Sequence, residues 1–238
     1  SCCAAGGGPD TCELVRMAWL WGADGRAVSR VAGREVAQGD LLADGGFAYV
    51  YSGSDASTGE RLAIRRALLQ DTEKIEAARI EIGILERVPP HPHIVRFLGA
   101  EILNMAASAE SVSLWELCTG GTLLARLEKA IEASAPSATS QPGAMPSCCP
   151  CLPEQEALEL LGGVAEALAH LHGLGIIHYD VKSENLLLGT DGLWKLGDFG
   201  SASERTFELA SAARSVLLDA EEFAHGRCTP IYRPPEVA

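Results

Sequence analysis

Basic residues are scarce in this sequence. Nineteen Lys and Arg stand against 32 Asp and Glu, which gives the 238-residue chain a formal net charge of −13 at pH 7. This surplus of negative charge argues against nucleic acid or an anionic membrane surface as the main partner. A phosphate-bearing ligand would have to be held by local groups and by metal, because the overall field repels it.

A long uncharged apolar run is also missing. The longest apolar stretch, residues 158–177, contains two glutamates and two histidines. Its strongest apolar residues recur at helical spacing, which predicts an amphipathic core helix and not a membrane span. These residues are Leu158, Leu161, Ala165, Leu168 and Leu171. No signal peptide or internal repeat is visible, and because the chain begins at Ser1 without a Met, we expect its natural N terminus to lie further upstream.

The eight cysteines do not form a convincing disulfide or metal pattern. Six of them lie in segments with little periodicity, namely Cys2, Cys3, Cys12, Cys148, Cys149 and Cys151. We interpret them as reduced thiols of an intracellular protein. The run CCPC at the last three of these positions lacks a second matching pair or a nearby His, which leaves zinc binding as the lesser alternative.

Strand and helix patterns alternate along the chain, and 47% hydrophobic residues suffice for a core. Residues 1–35 are rich in Gly and Ala without sustained periodicity, which predicts a tail, with structure starting near Leu41. The next segments, LLADGGFAYVYSG and LAIRRALL, predict two strands around a Gly-rich turn and then a third strand. A helix and two more strands follow. Residues 134–153, rich in Ser, Ala, Pro and Cys, predict an exposed insertion between helices.

The most informative segment is IIHYDVKSENLLL, residues 176–188, which is followed after a short turn by KLGDFG, residues 195–200. Its flanking apolar residues predict a loop held between buried strands. Together the two motifs place Asp180, Lys182, Asn185 and Asp198 at a spacing that is typical of a protein kinase. Such a combination is very improbable by chance.

With the further motifs ADGGFAYVY, ELCTGGTL, DFGSAS and RCTPIYRPPE, the sequence resembles the eukaryotic protein kinases, and within them the Numb-associated kinase group, over about residues 41–237. The resemblance implies an α+β, bilobal fold. Residues 36–119 would form a complete β-rich N-lobe, and residues 120–238 a helical C-lobe that is only partly present. Because the chain ends just after RPPE, we expect a C-terminally truncated kinase domain.

The resemblance also implies ATP and Mg²⁺ as cofactors and gives each motif residue a role. Asp198 and Asn185 would bind magnesium. Asp180 would accept the proton of the attacking hydroxyl, and Lys182, whose position resembles Ser/Thr kinases, would neutralise the transferring phosphoryl group. The other implied nucleotide contacts are Ala43, Gly45, Gly46 and Val50 of the Gly-rich loop, Ala63 and Arg65 of the third strand, and the backbones of Glu116 and Cys118.

Arg65 departs from the family pattern, which has Lys there with a helix carboxylate, here Glu81, as its partner. A guanidinium is longer, planar and forked, so it does not replace an ammonium at a packed phosphate site. Loss of one positioned charge costs about 10²- to 10³-fold in rate. The sequence therefore predicts a weak Ser/Thr kinase, with two alternatives: a pseudokinase that binds ATP or serves as a scaffold, and an incomplete product without activity.

Two further residues bear on regulation and on ligand size. Tyr179 stands where most such kinases have the Arg that clamps a phosphorylated activation segment, so we expect it to be packed. Phosphorylation is then not expected to be the usual activating step at the candidate positions Thr206, Ser211, Ser215 and Thr229. By the same resemblance, Trp115 would occupy the position at the back of the adenine pocket, where its indole would fill space.

The resemblance implies protein substrates, with endocytic adaptor proteins as the implied class. It also implies a cytoplasmic location, with peripheral association with membranes or vesicles. The sequence itself predicts no nucleic-acid partner and no transmembrane segment, and it does not indicate an oligomeric state.

Overall fold

The computed structural model describes residues 20–21, 27–45, 48–105, 108–134, 152–208 and 213–233. The described residues form two compact units. The first contains the residues up to Asp71 together with Leu98–Trp115, and the second contains Thr72–Phe97 and the residues from Glu116 onward. The predicted mixture of helices and strands is confirmed.

The first unit is built on a sheet with the strand order β1-β2-β3-β4-β5-β7-β6. The strands are β1 (Leu20–Trp21), β2 (Ala27–Val31), β3 (Arg34–Gly45), β4 (Ala48–Asp55), β5 (Arg61–Leu69), β6 (Phe97–Asn104) and β7 (Ala109–Glu116). Strands β3, β4 and β5 correspond to the three predicted around the Gly-rich turn. They pair in antiparallel order, so that this turn joins two neighbouring strands of one sheet.

The prediction that structure starts near Leu41 is wrong. Strand β2 lies inside the predicted tail and pairs with the first half of β3, from Val28 opposite Ala37 to Val31 opposite Arg34. The two residues that join the strands both have positive φ, 49° at Ala32 and 77° at Gly33, which is the geometry of a tight hairpin turn. Burial of Val31 on β2 and of Val36 and Ala37 on β3 explains why this hairpin forms.

The core of the first unit lies on one face of its sheet. Its buried side chains are Val31, Val36, Leu62, Ile64, Val112 and Leu114. Because successive side chains of a strand alternate between faces, Ala63 and Arg65 of β5 point to the opposite face. Arg66 points to the core side, where its guanidinium makes a bidentate pair with Glu110, with Nε to Oε1 at 2.7 Å and Nη2 to Oε2 at 2.8 Å. Both charges are buried, so each depends on the other.

The second unit combines helices with a two-stranded sheet. Its elements are α1 (Thr72–Leu85), α2 (Leu123–Ser134), α3 (Glu154–Gly173), α4 (Arg214–His225), β8 (Leu186–Leu188) and β9 (Trp194–Leu196). Helix α1 confirms the predicted helix. Residues 135–151 of the predicted insertion lie outside the described residues. Among the helices of the described segments, none has the length and apolar content needed to cross a membrane.

The predicted apolar face of α3 is partly wrong. Leu158 and Leu161 are 59% and 66% exposed. The buried face contains Leu160, Gly163, Ala167 and Leu171. The reason is a tertiary contact: the imidazole of His93 lies directly against Gly163, where a Cβ atom would collide with the ring. The glycine lets the helix approach the loop that carries His93, and that approach decides which face is buried.

Candidate active site

The loop before β8 is fixed by a buried histidine. His178 is 1% exposed, and its Nε2 donates to the carbonyl oxygen of Gly197 over 3.0 Å. Its Nδ1 accepts the backbone N–H of Asp180 at 3.3 Å, and its ring contacts the ring of the buried Phe199 edge to face. Burial lowers the pKa of His178, although the bond to Gly197 opposes this shift. The neutral ring therefore joins the loop to the turn that follows β9.

Two residues in this region have a left-handed backbone. Tyr179 has a φ of 65° and Asp198 has a φ of 57°. A residue other than glycine in this conformation costs about 1–3 kcal/mol, and the surrounding contacts must supply that energy. The Asp198 carboxylate accepts the backbone N–H of Gly200 at 3.3 Å, and the Asp198 side chain is exposed. The turn thus presents the carboxylate of Asp198 to solvent.

Asp180 is the centre of a hydrogen-bonded network. Its Oδ1 accepts the hydroxyl of Thr229 at 2.6 Å and the backbone N–H of the same residue at 3.2 Å. Its Oδ2 lies 2.7 Å from Nζ of Lys182, which also donates to the hydroxyl oxygen of Thr229 over 3.1 Å. Burial alone would raise the pKa of Asp180, but the bonds from Lys182 and Thr229 outweigh it and hold that pKa below its usual range. The carboxylate is therefore ionised.

The ammonium group of Lys182 is the ion-pair partner of the Asp180 carboxylate. The hydrogen bond to Asp180 raises the pKa of Lys182, in spite of the opposing effect of burial. An ionised carboxylate beside an ammonium can orient a hydroxyl group and also face an anionic group. This is the chemistry required for transfer of a phosphoryl group to an alcohol.

Asn185 presents its amide oxygen beside the same network. Its Nδ2 donates to the backbone carbonyl of Asp180 at 2.8 Å and to Oδ2 of that residue at 3.3 Å. The carbonyl of Asn185 accepts the N–H of Gly197 at 2.8 Å, which brings this residue next to the chain segment of Asp198. Since the amide nitrogen is engaged, the oxygen is the atom that can bind a cation. Amide and carboxylate oxygens fit Mg²⁺.

No cluster of three His, Cys, Asp or Glu side chains suited to a metal occurs in the described parts of the chain. Mg²⁺ commonly binds through one or two protein oxygens together with phosphate oxygens and waters. Asn185 and Asp198 therefore fit an ion that arrives with a phosphate ligand, and not a metal held by the protein alone.

The predicted contacts of the first unit share one face of its sheet. Val50 on β4 lies directly opposite Arg65 on β5, and Ala63 lies on the same face. In the Gly-rich turn, Ala43 pairs with Val50 and Gly45 pairs with Ala48. Gly46 lies outside the described residues. The structure thus gathers the described members of this predicted group on the side opposite the core.

Trp115 lies on this face as well. It alternates along β7 with Val112 and Leu114 of the core, so its side chain points to the opposite side. The indole is 8% exposed, and its Nε1 donates to the hydroxyl of Ser113 at 2.9 Å. This bond fixes the orientation of the ring.

The remaining predicted residues belong to the second unit. Glu81 is half-buried on α1. Cys118 is also half-buried, and burial, followed by the nearby charge of Glu116, raises its pKa to about 11. The Cys118 thiol therefore stays protonated and unreactive at neutral pH.

Tyr179 is packed, as predicted. Its ring contacts Phe223 of α4 edge to face, with centroids 5.7 Å apart, and Phe223 in turn contacts Phe207 at 5.5 Å. The guanidinium of Arg205 lies 4.5 Å from the centre of the Phe207 ring and 4.8 Å from that of Phe223. Arg227 lies over the Phe223 ring at 4.5 Å. We call these five residues the aromatic cluster.

Sequence reasoning missed the role of Thr229. It was predicted only as a candidate phosphorylation position, whereas its hydroxyl lies between Asp180 and Lys182. Thr229 is 49 residues from Asp180, and no local spacing signals the contact. The contacts of His178 with Gly197 and Phe199 were missed for the same reason.

Comparisons with known proteins agree with this chemistry. A model of the protein kinase domain matches residues 36–238. A probable serine/threonine-protein kinase of Dictyostelium discoideum is 30% identical over 199 residues, which cover 82% of this chain and 16% of that protein. Serine/threonine-protein kinase 16 of Mus musculus is 28% identical over 196 residues, covering 82% and 58%. CBL-interacting protein kinase 16 of Oryza sativa subsp. japonica is 33% identical over 204 residues, covering 84% and 37%.

The chain thus spans between 16% and 58% of the length of these relatives. The family match confirms the predicted kinase fold, with a β-rich N-lobe and a C-lobe that is partly helical. The roles of the individual site residues stay predictions. Because the match includes both the Gly-rich turn and the network around Asp180, the chain belongs to the protein kinase family.

Proposed function

We propose that this protein transfers the γ-phosphoryl group of ATP to Ser and Thr hydroxyls of other proteins. One observation carries the proposal: the ionised carboxylate of Asp180 is held by Lys182 and Thr229 in a single network. Such a carboxylate can accept the hydrogen bond of an incoming hydroxyl and then its proton. The relatives, which are named as serine/threonine-protein kinases, support the same function.

Each residue of the network has a separate task. Asp180 orients the acceptor hydroxyl and removes its proton. Lys182 balances the negative charge that the phosphoryl group brings next to Asp180. Thr229 keeps the carboxylate in one orientation. Asn185 and Asp198 would hold Mg²⁺, which when bound offsets the negative charge of the phosphates.

On the nucleotide side, the sheet face of the first unit opposite its core would contact ATP through Val50 and Ala63, with Arg65 near the phosphates. The backbone of Glu116 and Cys118 would meet the edge of the adenine. These assignments follow the resemblance, and the common face of the first three residues supports them.

We also propose that the protein belongs to the Numb-associated group and acts on endocytic adaptor proteins in the cytoplasm or at vesicles. The motifs DFGSAS and RCTPIYRPPE support this narrower assignment. Thr229, the residue that contacts Asp180, lies in the second of them.

A transfer assay tests the proposed reaction. The protein is incubated with γ-labelled ATP and Mg²⁺ together with a Ser/Thr peptide or a Tyr peptide. We expect label on the Ser/Thr peptide only, none in EDTA, and a loss of about 10²- to 10⁴-fold in Asp180→Asn. Glu86→Gln, an exposed carboxylate just after α1, is the matched control and should transfer at the unmodified rate.

Calorimetry with Mg²⁺ and ATP distinguishes the alternatives. Binding without any transfer would favour the pseudokinase alternative, which is considered because Arg65 replaces the Lys of the family pattern. Absence of both binding and transfer would contradict the proposal as a whole.

A further inference from the structure

The lysine that precedes the DFG motif is nearly inaccessible to solvent and bridges two carboxylates. The Lys195 side chain on β9 is 6% exposed. Its Nζ lies 2.9 Å from Oε2 of Glu116 and 2.9 Å from Oδ2 of Asp191. Burial would lower the pKa of Lys195, but the bonds to these two acids outweigh it and raise that pKa. The lysine is therefore a fixed positive charge.

Glu116 is held at more than one point. Its Oε1 accepts the backbone N–H of Arg96 at 2.6 Å, while its other carboxylate oxygen receives Lys195. The backbone N–H of Glu116 donates to the carbonyl of Arg96 at 2.9 Å. The side chain of Glu116 therefore has little freedom to rotate, and its backbone is fixed with it.

The segment after Glu116 is anchored at its other end as well. Gly120 donates its N–H to the carbonyl of Leu188 at 3.0 Å, and Leu188 donates back to Gly121 at 2.9 Å. A side chain at Gly120 would collide with Leu188, so only glycine permits this close approach. The short stretch that contains Cys118 is therefore fixed at one end by the ion pair between Lys195 and Glu116, and at the other end by the two backbone hydrogen bonds with Leu188.

We infer that Lys195 is a positioning residue for adenine recognition, acting through Glu116 on the backbone of residues 116–118. The inference rests on the proposed function, which assigns this backbone to the edge of the base. Hydrogen bonds to a flat heterocycle depend on the placement of donor and acceptor to a few tenths of an ångström. Removing the bridge should thus weaken recognition of the base and leave contacts with the phosphates intact.

Asp191 provides a matched control, because it shares Lys195 and its described hydrogen bonds and ion pairs do not include residues 116–118, although its charge helps to raise the pKa of Cys118. It is 45% exposed and lies in the turn between β8 and β9, where it also accepts the N–H of Leu193 at 3.1 Å. Asp191→Asn removes one charge partner of Lys195 and keeps the bridge to Glu116. If Lys195 had a purely structural role, Asp191→Asn and a substitution of Lys195 itself would change base preference in the same way.

The experiment measures base selectivity. Calorimetry in Mg²⁺ gives the affinities of ADP, GDP and inorganic pyrophosphate for the unmodified protein, Lys195→Met, Lys195→Arg and Asp191→Asn. We expect Lys195→Met to lose about tenfold in ADP affinity, the effect of one charged hydrogen bond, and to lose preference for ADP over GDP. Pyrophosphate affinity should not change, Lys195→Arg should recover part of the preference, and Asp191→Asn should keep it.

The outcomes separate this inference from the proposed function. If the unmodified protein binds neither nucleotide, the proposed function fails. If it prefers ADP and Lys195→Met keeps that preference, the inference is overturned and Lys195 serves stability alone. Should Lys195→Met not fold, Glu116→Gln takes its place, because it removes the charge and keeps the shape. Unchanged base selectivity in Glu116→Gln would equally overturn the inference.

Discussion

Thr229 donates its hydroxyl to Oδ1 of Asp180 over 2.6 Å, although 49 residues separate the two. The same hydroxyl oxygen accepts a hydrogen bond from Lys182 at 3.1 Å. One small side chain therefore contacts both charged groups of the site, which also pair with each other directly at 2.7 Å. Because Thr229 lies in the segment after α4, any movement of that segment would displace the carboxylate of Asp180.

Replacing Thr229 by Val should lower kcat for a Ser/Thr peptide by roughly 10- to 100-fold, because a hydrogen bond to a charged group is worth about 1.5–3 kcal/mol. Thr229→Ser keeps the hydroxyl and should stay within a few-fold of the unmodified protein. Thr206→Val, at an exposed position, is the control. Steady-state kinetics at saturating ATP provide the measurement. Equal rates for the Val and Ser variants would show that the hydroxyl does not orient Asp180.

Replacing Arg65 by Lys should raise kcat/KM for ATP roughly tenfold, if a compact ammonium suits the phosphates better than a guanidinium does. Its neighbour Arg66 is the matched control. Arg66→Lys loses the bidentate pair with Glu110 on the core side and should lower Tm without any gain in rate. An unmodified protein as fast as Arg65→Lys would mean that the guanidinium serves the phosphates well.

The aromatic cluster should hold the segment around Arg205 without phosphorylation. Aromatic pairs and cation–π contacts each contribute about 0.5–1.5 kcal/mol, and Phe223 takes part in several of them. We therefore expect phosphatase treatment to leave the transfer rate unchanged. Phe223→Ala should lower the rate and speed proteolysis of the segment, whereas Leu217→Ala, exposed on α4, should do neither.

Two results would contradict this prediction. A large loss of rate after phosphatase treatment would indicate a phosphorylation switch in place of the cluster. Unchanged proteolysis in Phe223→Ala would show that the segment is held by other contacts.

The sequence predicted features whose signals are local. The segment LAIRRALL predicted the strand β5, and the spacing in IIHYDVKSENLLL brings Asp180, Lys182 and Asn185 into one network. The hairpin at Ala32 was missed because its first strand, β2, has only five residues and lies in a Gly- and Ala-rich region. A two-residue turn with positive φ decides that structure, and the overall composition hides it.

Contacts between distant segments could not be predicted in this way. Lys195 and Glu116 are 79 residues apart, and each taken alone resembles an ordinary surface charge. The buried face of α3 depends on the ring of His93 against Gly163, a contact that helical periodicity does not encode. Such pairings are set by the packing of the whole unit.

The loop after α1 and helix α3 form a histidine cluster that should make stability sensitive to acid. His91 stacks on His170 of α3 with centroids 4.8 Å apart, and its ring lies 6.0 Å from that of His93. Nδ1 of His91 accepts the backbone N–H of His93 at 3.2 Å, so protonation there would break this bond. Glu166 is the acid that faces the cluster, 3.7 Å from Nε2 of His93.

Burial lowers the pKa of His91 below its ordinary value of 6.5, and the neighbouring His170 and His93 lower it further, while Glu166 opposes them. The unfolded chain then binds a proton more readily than the folded one does. The stabilising contribution is complete above pH 6.5 and is lost as the pH falls through this value toward the lower pKa of the folded state.

Urea unfolding between about pH 5 and pH 8 measures the effect. We expect the free energy of unfolding to fall on the acid side, and His91→Asn, whose side-chain oxygen can still accept the N–H of His93, should reduce that slope. His172→Asn, at an exposed position of α3 outside the cluster, should keep it. The same slope in His91→Asn as in the unmodified protein would show that other groups cause the acid sensitivity. In that case the stacked histidines would contribute to packing only.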